Sequence, residues 1–389
     1  MELTYLDHAA TTPVRPDVLE AMLPYFNASW GNPSSSHRFG RAARAGLEQA
    51  KRETAGALGV EPNQVIFTSG GTEADNLALI GAALAARAHG RPMHVVASAI
   101  EHKAALASCH AVVSLGGEET ILGVDADGIV RLDELNAVLA RKPAIVSVIW
   151  VNNEIGVVQP MVAIGARCRA AGVPLHSDAV QAFGKVPIDL EAANCTLLSV
   201  SGHKIGAPKG IGALIVRDRK IIEAIIHGGG QQYGIRPGTE NVAGAVALGR
   251  AALLARREFD DHVARLTTLR TDLVARLTAA VPDIVSHAQH VPHAPHIVSV
   301  SIPGAEAEAL LMHFDLAGIA CSGGSACATG SVEPSHVLTA MGVDRALALG
   351  TIRFSFGHET TPADIDRLAT AFPGIVERVR QLSVALGRA

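Results

Sequence analysis

Ser199-Val200-Ser201-Gly202-His203-Lys204 decides how this chain is read. It follows Thr196-Leu197-Leu198, an apolar run that predicts a short buried strand. A lysine at the carboxyl end of a core strand is poorly placed for a solvated ammonium. Desolvation favours its neutral amine, which can attack a carbonyl and form a Schiff base. Alone, the tetrapeptide Ser-Gly-His-Lys favours a surface lysine in a turn, so the rest of the chain has to supply the partners such a lysine needs.

Moving outward, strand, turn and helix signals alternate. Gln64 to Thr68 reads as a strand, Ser69-Gly70-Gly71-Thr72-Glu73 as a turn and Ala74 to Ala86 as a helix. A glycine turn opening a helix offers free backbone N–H groups and a positive dipole end to a phosphate. It is not a nucleotide-binding P-loop, because no Lys-Ser/Thr follows. Met93 to Ser98 is a strand leading to Glu101-His102-Lys103, where His102 could stack on a flat cofactor and move protons. The chain has 17 histidines, so a capping histidine is the competing reading. Ala144 to Trp150 is an apolar strand ending at Asn152-Asn153-Glu154, and Asn153 could bond a cofactor substituent. Pro174 to Gln181 ends another strand. Asp178 there could pair with a protonated pyridine nitrogen, and Gln181 could reach a ring hydroxyl. Gly212 to Val216 closes this α/β set, whose polar groups gather at strand carboxyl ends, where open α/β sheets bind ligands. Together these residues describe a site for pyridoxal 5'-phosphate (PLP).

On either side, residues 41–58 have helical periodicity, and a short helix starts near Pro16. The segments around Trp30-Gly31-Asn32-Pro33 and from His227 to Asn241 read as loops. Residues 244–280 read as one long helix. The last part mixes a strand over His296–Ile302, a helix over Glu306–Phe314 and a strand over Gly350–Gly357, with a helix after Pro362. That is a smaller α+β unit.

Composition narrows the function. The 389 residues are 48% hydrophobic and 18% charged, enough for two cores. Net charge is -4 with no basic block, which argues against direct nucleic-acid binding. No apolar run reaches membrane-spanning length, and the first residues lack a signal-peptide pattern. Five irregularly spaced cysteines fit a reducing, cytoplasmic setting. Cys321 and Cys327 make a poor zinc pair, since no second ligand pair lies at finger-like spacing, and no metal is expected.

Over essentially its whole length the chain resembles the cysteine desulfurases of the NifS/IscS group, class-V aminotransferases of PLP fold type I. The resemblance rests on Leu6-Asp7-His8-Ala9-Ala10-Thr11-Thr12, Gly31-Asn32-Pro33-Ser34-Ser35, Thr68-Ser69-Gly70-Gly71-Thr72-Glu73 and Glu101-His102-Lys103. It continues through Asn152-Asn153-Glu154-Ile155-Gly156, Asp178-Ala179-Val180-Gln181, Ser201-Gly202-His203-Lys204, Arg236-Pro237-Gly238-Thr239 and Ser325-Ala326-Cys327. It implies a large domain over 14–255 with a mostly parallel seven-stranded sheet. A small domain over 256–389 would carry the cysteine loop, with residues 1–13 packed on it.

By the same resemblance Lys204 carries the Schiff base, His102 stacks on the ring and Asp178 pairs with its nitrogen. Asn153 and Gln181 touch the ring region, and Gly71, Thr72, Ser201 and His203 hold the phosphate. Thr239 would reach the phosphate of the other subunit, which implies a homodimer. Arg353, helped by Asn32 and Asn153, would grip the substrate carboxylate. Cys327 would take sulfur from L-cysteine as a persulfide, leave L-alanine, and pass the sulfur to an acceptor protein for iron–sulfur assembly or for tRNA or cofactor thiolation. Cys321 ends an apparent strand and is expected to be buried and inert. Two departures stand out. Gly323 replaces the family's usual Ser or Thr, and Gln232 and Tyr233 stand where Glu and Arg are expected, which puts an ion pair in that loop in doubt. The length between Cys327 and Arg353 fits the NifS/IscS-type branch. The alternative reading is a PLP-dependent selenocysteine lyase or aminotransferase on the same fold.

Overall fold

The computed structural model describes residues 3–323 and 333–385. Thirteen short strands are distributed over three sheets. They are β1 (Thr4–Tyr5), β2 (Val65–Thr68), β3 (His94–Ser98), β4 (Glu118–Leu122), β5 (Ile145–Ser147), β6 (Leu175–Asp178) and β7 (Leu197–Ser201), then β8 (Gly212–Val216), β9 (Val285–Ser286), β10 (Ile297–Ser301), β11 (Ile319–Ala320), β12 (Ser322–Gly323) and β13 (Thr351–Ser355).

The large sheet has seven strands in the order β2-β8-β7-β6-β5-β3-β4. Only β8 runs against its neighbours. Every residue of β2, β3, β5, β6, β7 and β8 is buried. Near-continuous Val, Ile, Leu and Ala runs are what a sheet covered on both faces requires. Because β8 is antiparallel to both β2 and β7, those two end at the same edge. Thr68 and Ser201 both pair with Gly212. The glycine is needed there, since a Cβ on Gly212 would lie 2.7 Å from Gly70 Cα. This close approach brings the Gly70-Gly71 turn beside Ser201.

The second sheet, β12-β13-β10-β9, is antiparallel. Its core holds Phe314, Phe354 and Phe372, with Phe314 edge-on to Phe354 at 5.5 Å between ring centroids. Such contacts add about 1 kcal/mol beyond burial. Leu6 belongs to the same core, and β1 pairs in parallel with β11. The chain's first residues are thus stitched to its last third.

Two expectations need correction. The span 244–280 is two helices, Val242–Arg257 and Phe259–Ala280, joined at Glu258. Glu258 has φ -99° and ψ 8°, and its carboxylate accepts two hydrogen bonds from Arg15 at 2.8 and 3.1 Å. That fixed fork pulls the joint toward the amino-terminal segment, and Asp260 and Asp261 then supply acidic charge to the first turn of the new helix. The helix expected over 74–86 spans Gly71–Ala88, so the glycine turn is itself the helix start. β4 and the helices Lys103–Ser114, Leu132–Leu139 and Met161–Ala171 complete the crossovers. Among the described residues, no helix is long and apolar enough to cross a membrane.

Candidate active site

Strand ends β2, β3, β6 and β7 deliver the polar groups to one edge of the large sheet. Gly70 precedes the helix Gly71–Ala88 with no side-chain cap, so its first N–H groups remain available. A Cβ on Gly71 would meet Val180 Cγ2 at 2.8 Å and Ser201 Cβ at 3.7 Å. Glycine lets the helix start pack directly against Val180 and Ser201. Glu73 fixes the turn by accepting from Ser69 N at 2.7 Å and from Arg236 Nε at 2.6 Å. The turn is a cradle for an anion, with backbone donors, a dipole end and the Ser201 hydroxyl.

Lys204 sits on the single turn after β7. Its Nζ donates to the carbonyls of Ala9 at 2.5 Å and Ala10 at 2.7 Å. Burial, with the Arg353 charge second, lowers its pKa to about 8, while Asp178 and Asp7 oppose the fall. An amine so placed is free often enough to attack a carbonyl near neutral pH. His203 is tied to the amino-terminal segment through Thr11 Oγ1 at 3.1 Å, and its carbonyl accepts from Thr12 Oγ1 at 2.8 Å.

Beneath Lys204 lies a nest of buried acids. Asp178 accepts from Val180 N at 2.8 Å. Burial raises its pKa, and His102, the Val180 N–H and Lys204 pull it back. Asp75, also buried, has ligand atoms within 4.8 Å of those of both Asp178 and His102. Burial first, and the Asp178 charge second, push the Asp75 carboxyl well above the usual range. His176 is buried as a neutral imidazole between Ser147 Oγ at 2.8 Å and Ser199 Oγ at 2.9 Å, and burial lowers it to about 3. Glu101 accepts from Ile149 N at 2.7 Å and is raised to about 8 by burial. His102 caps the helix Lys103–Ser114, its Nδ1 accepting from Ala104 N at 3.2 Å, with the ring exposed toward the site. The capping reading is satisfied, and the same ring lies within 4.8 Å of ligand atoms of Asp75 and Asp178.

A free amine, a buried carboxylate and an anion cradle on one sheet edge match one family throughout. The aminotransferase class-V model matches residues 4–368. A cysteine desulfurase IscS of Dictyoglomus turgidum is 40% identical over 379 residues, covering 97% of this chain and 96% of the relative. The chain belongs to the cysteine desulfurases of the class-V aminotransferase family. Among solved structures, a NifS-like protein superposes with a TM-score of 0.88 at 32% identity, covering 98% of this chain and 100% of the other. A structure titled SspA in complex with cysteine gives a TM-score of 0.80 at 34% identity, covering 91% and 98%. The fold is therefore PLP fold type I, and PLP is the cofactor. The residues fit it: the uncapped helix start at Gly71 beside Ser201 suits a phosphate, the lowered Lys204 amine suits an aldehyde, and buried Asp178 suits a ring cation.

Other expected site residues are placed as follows. Arg353, on β13, is 1% exposed. Its Nη2 donates to Asp7 Oδ1 and its Nη1 to the Asn153 carbonyl, both at 2.8 Å, and Nε has no hydrogen-bond partner among the described residues. Asn153 is thus brought to Arg353 through its backbone. Gln181 is buried with its amide engaged, Nε2 donating to Ala9 O at 2.8 Å and Oε1 bonded to His296 Nε2 at 3.1 Å. Its visible role is to tie the amino-terminal segment to the large sheet. Thr72 and Thr239 are exposed. In the loop that carries Thr239, Gln232 Nε2 donates to Glu240 Oε1 at 2.8 Å, and the loop does keep an ion pair, Arg236 to Glu73. Tyr233 packs between Lys51 and Arg219. Asn32 lies in an exposed turn, accepting from Ser34 N at 2.9 Å, and shares no hydrogen bond with the other expected site residues. Cys327 lies outside the described residues. Cys321 is partly buried, and burial pushes its thiol up to about 12, an inert value.

The sequence reading missed Asp7, Asp75, Lys185 and the Ala9 and Ala10 carbonyls as site groups. Asp7 and the two alanines stood inside a quoted motif whose role only the folded chain reveals. Asp75 falls one helical turn after the glycine turn, on the face toward the sheet, and that spacing was a usable signal.

Proposed function

We propose that the chain converts L-cysteine to L-alanine and retains the sulfur as a persulfide on Cys327. The observation that carries this reading is the buried Lys204 amine, which donates to the Ala9 and Ala10 carbonyls, feels Arg353, Asp178 and Asp7, and is lowered to about 8 by burial. When bound, PLP supplies an electron sink that acidifies the substrate Cα. In this reading Gly71, Thr72, Ser201 and His203 hold the phosphate, with Thr239 reaching that of a partner subunit in a homodimer. Asp178 faces the ring nitrogen, His102 covers the ring, and Asn153 and Gln181 border it. Arg353 receives the substrate carboxylate, exchanging Asp7 for it, and Asn32 assists from the rim.

With PLP bound, Lys204 would take the Cα proton and return it. His102 accepts the substrate thiol proton. Cys327 thiolate attacks the substrate sulfur, so a sulfur–sulfur bond forms and the carbon–sulfur bond breaks with its electron pair left on carbon. The persulfide then passes to an acceptor protein serving iron–sulfur assembly or thiolation in the cytoplasm. The same reading divides the chain into 14–255 and 256–389, with 1–13 on the latter, as Leu6 in the Phe354 core supports.

The test is sulfide and alanine release from L-cysteine under a thiol reductant, for wild type and Cys327→Ala. Equal yields from wild type and neither product from the variant are expected. Wild-type rates in the variant would overturn the role of Cys327.

A further inference from the structure

Next to Lys204 lies a second lysine that the reaction does not use. Lys185 is 4% exposed, and its Nζ makes one hydrogen bond, donating to the Lys204 carbonyl at 2.9 Å. It has no ion pair among the described residues. An ammonium carries three donors and is almost never buried without a counter-charge, because it loses its hydration with nothing in return. Such a site selects the neutral amine.

The surroundings resist a proton on Lys185 and favour a negative charge. The groups that sense it are Lys204, His8 on the amino-terminal segment, His203 beside Lys204, His262 on the helix Phe259–Ala280, and His296 ahead of β10. All five are bases. A cavity of about 260 Å³ adjoins Lys185, bordered also by His8, Lys204 and His262. The acids on its wall are already satisfied: Glu258 is paired with Arg15, and Asp17 and Glu359 are exposed to solvent. Those exposed residues also mean that the cavity reaches the surface. Burial first, and the Lys204 charge second, bring Lys185 down to about 7. An ordinary lysine titrates near 10.4, so at neutral pH Lys185 has a free lone pair roughly a thousandfold more often. A buried free amine facing a small cavity, ringed by bases that lack an anion, is suited to a small electrophile that leaves a negative charge behind.

We propose that Lys185 is a site of reversible carbamate formation: its amine captures dissolved carbon dioxide from the adjoining cavity and becomes the anion that the surrounding bases lack. The Nζ lone pair attacks the carbon, a carbon–nitrogen bond forms, and one C=O electron pair moves onto oxygen. The nitrogen then releases one proton to water, and nothing is oxidised or reduced. The product keeps a single N–H, which is all that the existing hydrogen bond to the Lys204 carbonyl requires. Its two oxygens share one negative charge and lie among His8, His262 and Lys204 at the cavity. Carbon dioxide is uncharged and three atoms long, so it enters without the desolvation cost of an ion.

The test is carbon-13 NMR of the full-length, PLP-bound protein equilibrated with carbon-13-enriched carbon dioxide between pH 6 and pH 8.5. A carbamate resonance, distinct from bicarbonate and dissolved gas, should grow as pH rises through about 7 at constant gas pressure, because the reaction needs the neutral amine and releases a proton. The amino terminus, with an ordinary value near 8, forms its own carbamate. Lys185→Arg keeps a side-chain cation but no free lone pair, so it should lose one resonance and retain the other. Esterifying the carbamate with an alkylating reagent and mapping peptides by mass spectrometry should place the added mass on Lys185. That mapping uses wild type alone and decides the question even if the variant misfolds. No added mass on Lys185 under saturating carbon dioxide at pH 8, or a spectrum that Lys185→Arg leaves unchanged, would overturn the proposal. The outcome is independent of the proposed function: if PLP did not occupy Lys204, a tag there would appear on a separate peptide.

Discussion

Replacing Asp75 by Asn should make the protein more stable at alkaline pH, against the usual expectation for a fully buried polar site. Asp75 and Asp178 are both buried, with ligand atoms at most 4.8 Å apart. At an effective dielectric of about 20, two full charges at that distance repel by about 3.5 kcal/mol. The nearest base to Asp75 is His176, 3.7 Å away, which burial keeps neutral. Burial and the Asp178 charge both favour the protonated Asp75 carboxyl, so we assign the pair's proton there.

The sign follows from linkage. A carboxyl whose folded pKa is raised contributes stability that is fully present below the unfolded value of about 4. That stability is lost as pH rises from there through the folded value. While the folded protein keeps the extra proton, the loss is about 1.4 kcal/mol per pH unit. A side-chain amide cannot ionise, so the Asp75→Asn variant lacks this loss. Urea denaturation of the PLP-bound protein at half-unit steps from pH 4.5 to 8.5 would show wild type falling relative to the variant as pH rises. A wild-type-minus-variant difference that stays flat with pH, or grows in favour of wild type, would refute the assignment of the proton to Asp75.

Other outcomes follow from the same geometry. On the acid side, His8, His176, His262, His287 and His293 are lowered by burial to between about 3 and about 4. Their contribution is present above the unfolded value of about 6.5 and is lost as pH falls. The raised Asp75 and Glu101 carboxyls gain stability over the same window, so the histidine loss should stand out in a variant carrying Asp75→Asn and Glu101→Gln. Circular dichroism at fixed urea should show that variant destabilised steeply between pH 6 and pH 4, and a flat profile in it would contradict the reasoning. Gly71→Ala should weaken PLP retention on dialysis by roughly tenfold or more, because its Cβ would stand 2.8 Å from Val180 Cγ2. Pairing it with Val180→Ala should recover part of the loss. Arg353→Lys should raise KM for L-cysteine by roughly tenfold with a smaller change in kcat, since an ammonium cannot offer the two-pronged grip. An unchanged KM would remove Arg353 from substrate binding.

Much of the fold was legible because the sheet is buried on both faces. Its strands are written as unbroken apolar runs, and β8 spans Gly212–Val216 as read. What escaped lacks that signature. β4, Glu-Glu-Thr-Ile-Leu, is an edge strand with two acids and little burial. The break at Glu258 lies in a sequence with helical composition throughout and depends on Arg15, 243 residues away. The site was legible where chemistry and strand ends coincide, at Asp178, Ser201 and Lys204. It was illegible where backbone carbonyls or buried bases act, since Ala9, Ala10 and Lys185 carry no mark in a sequence that separates them from ordinary alanines and lysines.

The segment from Leu6 to Thr12 shows why those unmarked groups matter. Leu6 is fixed in the core built around Phe354. One residue on, Asp7 holds Arg353. The next carbonyls, Ala9 and Ala10, hold the Lys204 amine, and Gln181 clamps Ala9 from the sheet. Thr12 then bonds the His203 carbonyl. In seven residues the chain connects the arginine proposed to bind substrate to the lysine proposed to bind cofactor. In the proposed function a substrate carboxylate at Arg353 would compete with Asp7, two residues from the Ala9 carbonyl that restrains the Lys204 amine, so one short segment touches both halves of the proposed site.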